Sequence, residues 1–461
     1  MERKAYPEFY RQIFKLLIPI VIQNMLNAAV SSADVLMLSF VGQSAISAVS
    51  LASNYAGVLF SINFGLGTGV TMLTAQYYGK GDLRAIRAVE GIALRLGLVF
   101  SLVFGGAALL IPRWMMLLFT NDGELIELGC QYLRIVSLAY ICWGITEIYT
   151  AVLRSMGRAT ICMVLNAVGF ALNILLNAVF IFGLFGAPKL GIRGVAMATA
   201  ISALSGPVGC LLISIKAQVK LNPRYLLVRN KALSQDFRHL ALPALANDII
   251  WGVAFSMYSV ILGHMGSDAV AANAIVIVVR NLSTVFCFAA ASAGTILLGN
   301  VMGEGNLPKA KVYAAKMLRL TVFASLLGGV VILCLIPLIL SMSEAKLTAQ
   351  ALGYLKGMLL INSYYITGAA VNTALIAGVF RAGGDTKFGM ICDTIDMWCY
   401  AVPLGFLAAF VFKLPVMVVY FLLCTDEFVK WPWVIKRYKS GIWLKNITRD
   451  DLFDGTEQLN A

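Results

Sequence analysis

A chain of 461 residues with 60% hydrophobic and 13% charged side chains carries about half the charge of a soluble protein, which excludes a water-soluble enzyme or binding module. Its formal net charge of +13 invites a nucleic-acid reading, but the basic residues are spread along the ends of apolar runs and not gathered into a patch. The nine cysteines lie in or beside those runs without a CxxC pair and read as small buried hydrophobes; His239 and His264 are too far apart to suggest a metal site.

Apolar runs of about 20 residues cross a ~30 Å hydrocarbon layer, where only helices or closed barrels satisfy the backbone. The runs predict helices over 13–38, 45–73, 89–111, 131–153, 161–183, 194–215, 240–262, 270–298, 314–340, 351–379, 388–411 and 415–436. Met1 to Phe9 is too polar, and the run from Ile13 too long, for a cleavable signal peptide. The first span carries Pro19 and Asp34. The second ends in the turn YYGKGDLRAIRA, the fourth in VLRSMGRAT, and the fifth holds Asn173 and Asn177. After the sixth comes the longest polar stretch, 216–238. The seventh span opens with Pro243; the eighth contains Arg280, a charge that sets it apart from a plain span. VMGEGNLPKAKV follows the eighth, VFRAGGDTK closes the tenth, and Asp393 and Asp396 lie on the eleventh.

The second six spans echo the first six. From Leu16 to Leu96, adding 224 to a residue number pairs Pro19 with Pro243, Gly42 with Gly266, Thr71 with Thr295, Gly81 with Gly305 and Arg95 with Arg319. Paired glycines allow positive φ in tight reversals, and Asp82 and Asn306 suit helix N-caps. Gly79-Lys80-Gly81 is too short to cradle a phosphate, and the second copy places Glu304 where the first has Lys80. The fold expected is an all-α polytopic membrane protein: twelve transmembrane helices in two pseudo-symmetric six-helix bundles. Residues 1–215 form the N-terminal lobe, 216–238 a cytoplasmic linker, 239–436 the C-terminal lobe and 437–461 a cytoplasmic tail, disordered after Ile447. Duplicated bundles of this kind suit alternating access.

Twelve spans put both termini on one side. Arg3, Lys4, Lys80, Arg84, Lys216, Lys220, Arg229 and Lys309 fall there, whereas the opposite loops hold only Arg113, Lys189, Arg193, Lys346 and Lys413. By the positive-inside rule the chain is a multi-pass protein of the cell membrane with both termini cytoplasmic, its basic loops meeting anionic lipid.

Several stretches taken in order resemble the multidrug and toxic compound extrusion (MATE) family. ADVLMLSFVG at 33–42 follows the early proline. AQYYGKGD and GNVMGEGN stand at equivalent places. VLRSMGRAT and VFRAGGDT close the fourth and tenth helices, and ALNILLNAVFIFG precedes LGIRGVAMATAIS. The likeness runs from about 13 to 436. It implies two lobes arranged as a V around a central cavity, and export of amphipathic, often cationic organic compounds driven by inward Na⁺ or H⁺. No cofactor is implied beyond that coupling ion. The expected partners are small organic molecules, the coupling cation and lipid, with no nucleic acid, and the chain is expected to act as a monomer.

A charge at bilayer depth is a functional candidate by default, and Asp34 is the foremost: a carboxylate there binds a proton or a hard cation. Asn173 and Asn177, four apart, face one way and offer neutral oxygens, with Thr199 as a possible hydroxyl; interhelical hydrogen bonding is the plainer role. The family resemblance places an ion or proton site at these positions. In the C-terminal lobe, Trp251 and Ala370 occupy positions where some branches carry acids, and Asp248 lies one turn from Trp251. Arg280, Asp393, Asp396 and Glu147 form a possible charge network, with Arg280 expected to pair with Asp248 or Asp396. Arg154 and Arg381 are expected to cap carbonyls and meet lipid phosphates. Gln23, Asn24, Asn27, Asn54, Asn247, Asp248, Tyr258, Tyr364 and Tyr365 are cavity candidates.

A membrane enzyme would need a metal cluster or activated nucleophile, and HExxH and GxSxG are absent. A passive channel would show a repeated pore loop or charged ring. A lipid-linked saccharide flippase shares the architecture but calls for several cationic cavity groups, where the spans show Arg280 alone.

Overall fold

The computed structural model of the chain describes residues 5–38, 40–215, 220, 223–227, 230–344, 347–450 and 452; Arg3, Lys4, Lys216, Arg229, Lys346 and most of the tail beyond Asp450 lie outside that set. The protein is an all-α membrane protein. Its long helices are α1 (Ala5–Leu38), α2 (Gln43–Lys80), α3 (Leu83–Leu110), α4 (Gly123–Ser155), α5 (Ala159–Phe182), α6 (Ile192–Ser214), α7 (Lys231–Gly263), α8 (Ser267–Gly303), α9 (Leu307–Ser343), α10 (Ala349–Phe380) and α11 (Thr386–Val411). Helix α12, residues 416–440, is built of three pieces: Val416–Leu423, Asp426–Val429 and Trp431–Ser440. Among the described residues, the ten helices α2 to α11 are long and apolar enough to cross a membrane; α1 and the broken α12 complete the twelve.

The repeat read from the sequence recurs in the backbone. Gly42 and Gly266 begin α2 and α8 at φ 142° and 127°, and Gly81 and Gly305 follow those helices at φ 83° and 78°. Asp82 caps α3 by accepting from the Ala85 N–H at 2.9 Å, and Asn306 caps α9 by accepting from Lys309 N–H at 3.1 Å. Side-chain caps of this kind satisfy N–H groups that have no intrahelical partner. Gly157 and Gly384, which end the fourth and tenth helices, share φ values of 78° and 77°.

Two compact units emerge, and their boundaries cut across helices α1 and α7. One unit comprises 14–245 and 448–461; the other comprises 1–13 and 246–447. The expected linker is therefore shorter than 216–238, because α7 begins at Lys231. In the first unit α4 is the central helix, packed by α2, α3 and α6. Small residues of α2 (Ala45, Ala48 and Ala52) let the backbones close up, and Tyr55 fills the remaining space with its hydroxyl donating to the Phe104 carbonyl at 2.9 Å. Small residues at such contacts supply the van der Waals contact that lipid-embedded helices depend on. In the second unit α10 holds the centre against α8 and α9, where a Cβ at Gly329 would strike the Ser363 carbonyl.

Helices α10 and α11 depart from the regular helices expected, whereas α8 does not. Helix α8 runs unbroken through Arg280. Helix α10 widens to π-helical winding over Thr373–Phe380, and α11 does so over Ile395–Ala401 and Leu407–Val411. Single π turns shift the side chains that follow them and mark functional stretches. The described residues of the tail make contacts that its polarity did not suggest. Trp443 is 1% exposed, and Arg449 pairs with Asp236 at 2.6 Å while Lys80 reaches Asp450 at 2.6 Å. Arg437 donates twice to Asp385, at 2.7 and 2.8 Å.

Candidate functional site

The first unit gathers the polar residues expected of an ion site. Asn177 on α5 donates its Nδ2 to Asp34 Oδ1 at 2.8 Å and to Asn173 Oδ1 at 3.2 Å. Asn173 in turn donates to Ser202 Oγ on α6 at 3.3 Å, and Ser202 donates to the Thr199 carbonyl at 3.0 Å. The spacing of four puts both amides on one face of α5, and that face meets α1 and α6. Asn177 is 0% exposed, and its Oδ1 has no hydrogen-bond partner. A buried carbonyl oxygen left without a donor costs about 1–3 kcal/mol unless something occupies it, and a cation is a fitting occupant beside a carboxylate. Thr199 itself donates its hydroxyl to the Val195 carbonyl at 3.0 Å, so its side chain is back-bonded to its own helix. Tyr132 of α4 stands beside Asp34, Thr199 and Ser53, a neighbour that no sequence pattern singles out.

The second unit carries a larger network on α7, α10, α11 and α12. Arg381 Nη2 donates to Asp248 Oδ1 at 2.6 Å and to Asn247 Oδ1 at 3.3 Å. Asn247 Nδ2 donates to Asp393 Oδ2 at 2.7 Å. From Asp393 the chain reaches Lys430, whose ammonium lies 3.1 Å from Asp393, 3.2 Å from Glu427 and 3.5 Å from Asp396. Asn372 donates to Glu427 Oε2 at 2.6 Å, and the Tyr258 hydroxyl donates to Asp426 Oδ2 at 2.9 Å. Tyr258 stands 224 residues after Asp34, so a phenol in one unit holds the place of the carboxylate in the other. Lys430 is 2% exposed, and Asp396, Asp426 and Glu427 are at most 3% exposed. Both oxygens of Asp396 lack a hydrogen bond and depend on the longer contact with Lys430.

Several expectations are corrected by these contacts. Arg280 pairs with neither Asp248 nor Asp396, because Arg381 takes the first and Lys430 the second; its guanidinium lies 4.6 Å over the Phe255 ring. Arg154 and Arg381 do not serve as exposed caps. Arg154 bonds Glu147 at 2.6 Å, its side chain 14% exposed, and Arg381 bonds Asp248 with 8% exposure. Arg280 is also not alone among basic groups at depth, since Lys430 shares it. The signal was present: DEFVK inside the expected span 415–436 puts three charges within one and a half turns.

Beside this network lies a cavity of ≈ 440 Å³ bordered by α7, α8, α10 and α12. Trp251 and Phe255 wall it at 4.3 Å from each other, with Phe288 edge-on to Trp251 at 5.9 Å. Arg280, Tyr365 and Glu427 also reach it. Among the cavity candidates, Tyr365 therefore lines a cavity, whereas Asn247, Asp248 and Tyr258 belong to the charge network. Tyr364 packs on Phe428 at 5.8 Å. In the first unit, Gln23 is 7% exposed with Oε1 unbonded, and Asn27 and Asn54 are exposed and Asn24 half-buried.

The MatE family model matches residues 19–179 and again 243–407, one copy in each half. The chain belongs to the MatE family. It is thus a membrane transporter and not an enzyme. Similar MATE proteins include the probable multidrug resistance protein NorM of Thermotoga maritima, 27% identical over 98% of this chain and 97% of its own length. A NorM of Rhizobium meliloti is 28% identical over 89% and 88%. Among solved structures, a mutant of the Vibrio cholerae MATE transporter VcmN superposes with a TM-score of 0.84 at 17% identity, covering 96% of this chain and 99% of that one. A MOP superfamily transporter from Pyrococcus furiosus gives 0.82 at 19%, covering 93% and 96%. These likenesses fix the MATE fold.

Proposed function

We propose that the protein is a secondary active antiporter of the cell membrane. It exports amphipathic organic compounds, cations among them, against inward Na⁺ or H⁺ by alternating access of its two units, with both termini cytoplasmic and one chain sufficient. The observation that carries this reading is the Asp34–Asn177–Asn173 constellation. A carboxylate held by one amide nitrogen, beside a buried amide oxygen that bonds nothing, matches the needs of a hard cation or a proton. Occupancy changes the charge of Asp34 and so changes how strongly α1 is held to α5, which gives ion binding a grip on helix position. The names of the relatives, multidrug resistance proteins, support the substrate class.

A saccharide-lipid flippase would recognise a pyrophosphate with several free cations. Lys430 and Arg381 are held by carboxylates, and the cavity of the second unit presents Arg280 among the described residues.

The test is uptake of a fluorescent organic cation into proteoliposomes under separately imposed Na⁺ and proton gradients. One gradient should drive uptake in the wild type, and Asp34→Asn should abolish that dependence. Rates indistinguishable between the two proteins under both gradients would overturn the assignment.

A further inference from the structure

We propose that the cavity of the second unit binds an organic anion with a flat apolar body, such as an aromatic carboxylate, and that Arg280 is its counter-ion. The proposal rests on the reading of the chain as an exporter of amphipathic compounds and adds a charge class to it. Three helices each give the cavity one stripe: Trp251, Phe255 and Ser259 from α7, Arg280, Thr284 and Phe288 from α8, and Tyr365, Ala369 and Thr373 from α10. Those spacings keep the lining on a single face of each helix. The walls are aromatic, and flat apolar bodies stack or lie edge-on against them.

The charge that faces the cavity without a partner then selects the sign. Two charged side chains border the space, Arg280 and Glu427. Glu427 is committed elsewhere: its Oε2 accepts from Asn372 at 2.6 Å and lies 3.2 Å from Lys430. Among the described residues, no carboxylate comes within 4 Å of the Arg280 guanidinium; its close neighbour is the Phe255 ring face at 4.6 Å. A ring face attracts a cation weakly and leaves the edge of the guanidinium, with its forked N–H donors, free for a planar oxyanion. Arginine takes carboxylates in a two-pronged mode that a lysine cannot copy. A cavity of ≈ 440 Å³ falls within the size range of small-molecule sites.

The experiment measures equilibrium binding of radiolabelled 2-naphthoate, and of a naphthyl quaternary ammonium of the same size, to the purified full-length protein in lipid nanodiscs without an ion gradient. Its outcome is therefore independent of the gradient-driven uptake that tests the antiporter reading. Wild type should bind the naphthoate in preference to the ammonium. Arg280→Gln should weaken naphthoate binding by about tenfold or more, and Arg280→Lys should recover only part of it. A melting curve accompanies each variant; if Arg280→Gln melts early, the Lys variant carries the comparison. Preference for the ammonium, or naphthoate affinity unchanged in either variant, overturns the proposal. So does naphthoate binding that vanishes when phosphatidylglycerol is added to the nanodisc, because the lipid head group is then the occupant.

Discussion

Replacing Lys430 by Met should be among the most damaging single changes in the second unit. The ammonium sits 3.1, 3.2 and 3.5 Å from three carboxylates and is 2% exposed. Removing one partner of a buried ion pair costs about 3–5 kcal/mol, because the remaining charge is left without compensation in a poor solvent for it. Three partners share this one cation, so their losses do not add, and the lower end of that range is a floor. Asn247 and Asn372 still donate to Asp393 and Glu427 after the change, which limits the damage at those two groups. Asp396 has no hydrogen bond to fall back on. For a unit of roughly 150–250 residues, 1 kcal/mol moves the midpoint by about 2–4 °C, so the fall should be about 6–20 °C. With the exposed Cys334 and Cys399 replaced by serine, a thiol-reactive dye reports it: Cys392 and Cys424 are buried on two of the helices that carry the network, and they label only as α11 and α12 separate. The loss should shrink as pH is lowered, since protons then replace the missing ammonium on the stranded carboxylates. A midpoint within 1 °C of wild type, at neutral and acid pH alike, would refute the claim that Lys430 neutralises this cluster.

Other outcomes follow from single contacts. Arg381→Met should destabilise by about 2–4 kcal/mol, while Arg381→Met with Asp248→Asn should cost less than the sum of the two, because the double change strands no charge; a double-mutant melting cycle reads the difference. Gly383→Ala should loosen the segment around Trp443, since the added methyl would collide with the Trp443 carbonyl; faster cleavage near residue 443 under limited proteolysis, with a loss of about 1–3 kcal/mol, is the expected result. Asn177→Leu should remove ion dependence from transport yet keep the protein folded, whereas Thr199→Val should leave ion dependence intact because the Thr199 hydroxyl bonds its own helix; flux assays on the pair check both. Arg449→Ala should leave the melting curve unchanged, since its bridge to Asp236 is exposed and water competes for both ends.

Much of the first unit's site was legible because its logic is local. Asn173 and Asn177 share a face through helical spacing alone, and Asp34 stands out as a charge where hydrocarbon is expected. The second unit's site was harder to read. Lys430 lies inside an apolar span with acids three and four residues before it, a pattern that names no partner on another helix, and the partners expected for Arg280 are held by Arg381 and Lys430. Which carboxylate faces which cation depends on the rotation and depth of four separate helices, and on π turns in α10 and α11 that shift the register by a residue.

Sequence by itself determined the helices, the duplication, the glycine turns and their caps, because hydropathy, the need to satisfy the backbone in lipid and positive φ are all set within a few residues. Tertiary structure alone decided that one ammonium serves three carboxylates, that Arg280 is left against an aromatic ring, and that α1 and α7 each divide between two packed units. Those outcomes depend on contacts between separate helices, Lys430 with Asp393 and Arg280 with Phe255, where small rotations of a helix exchange one partner for another.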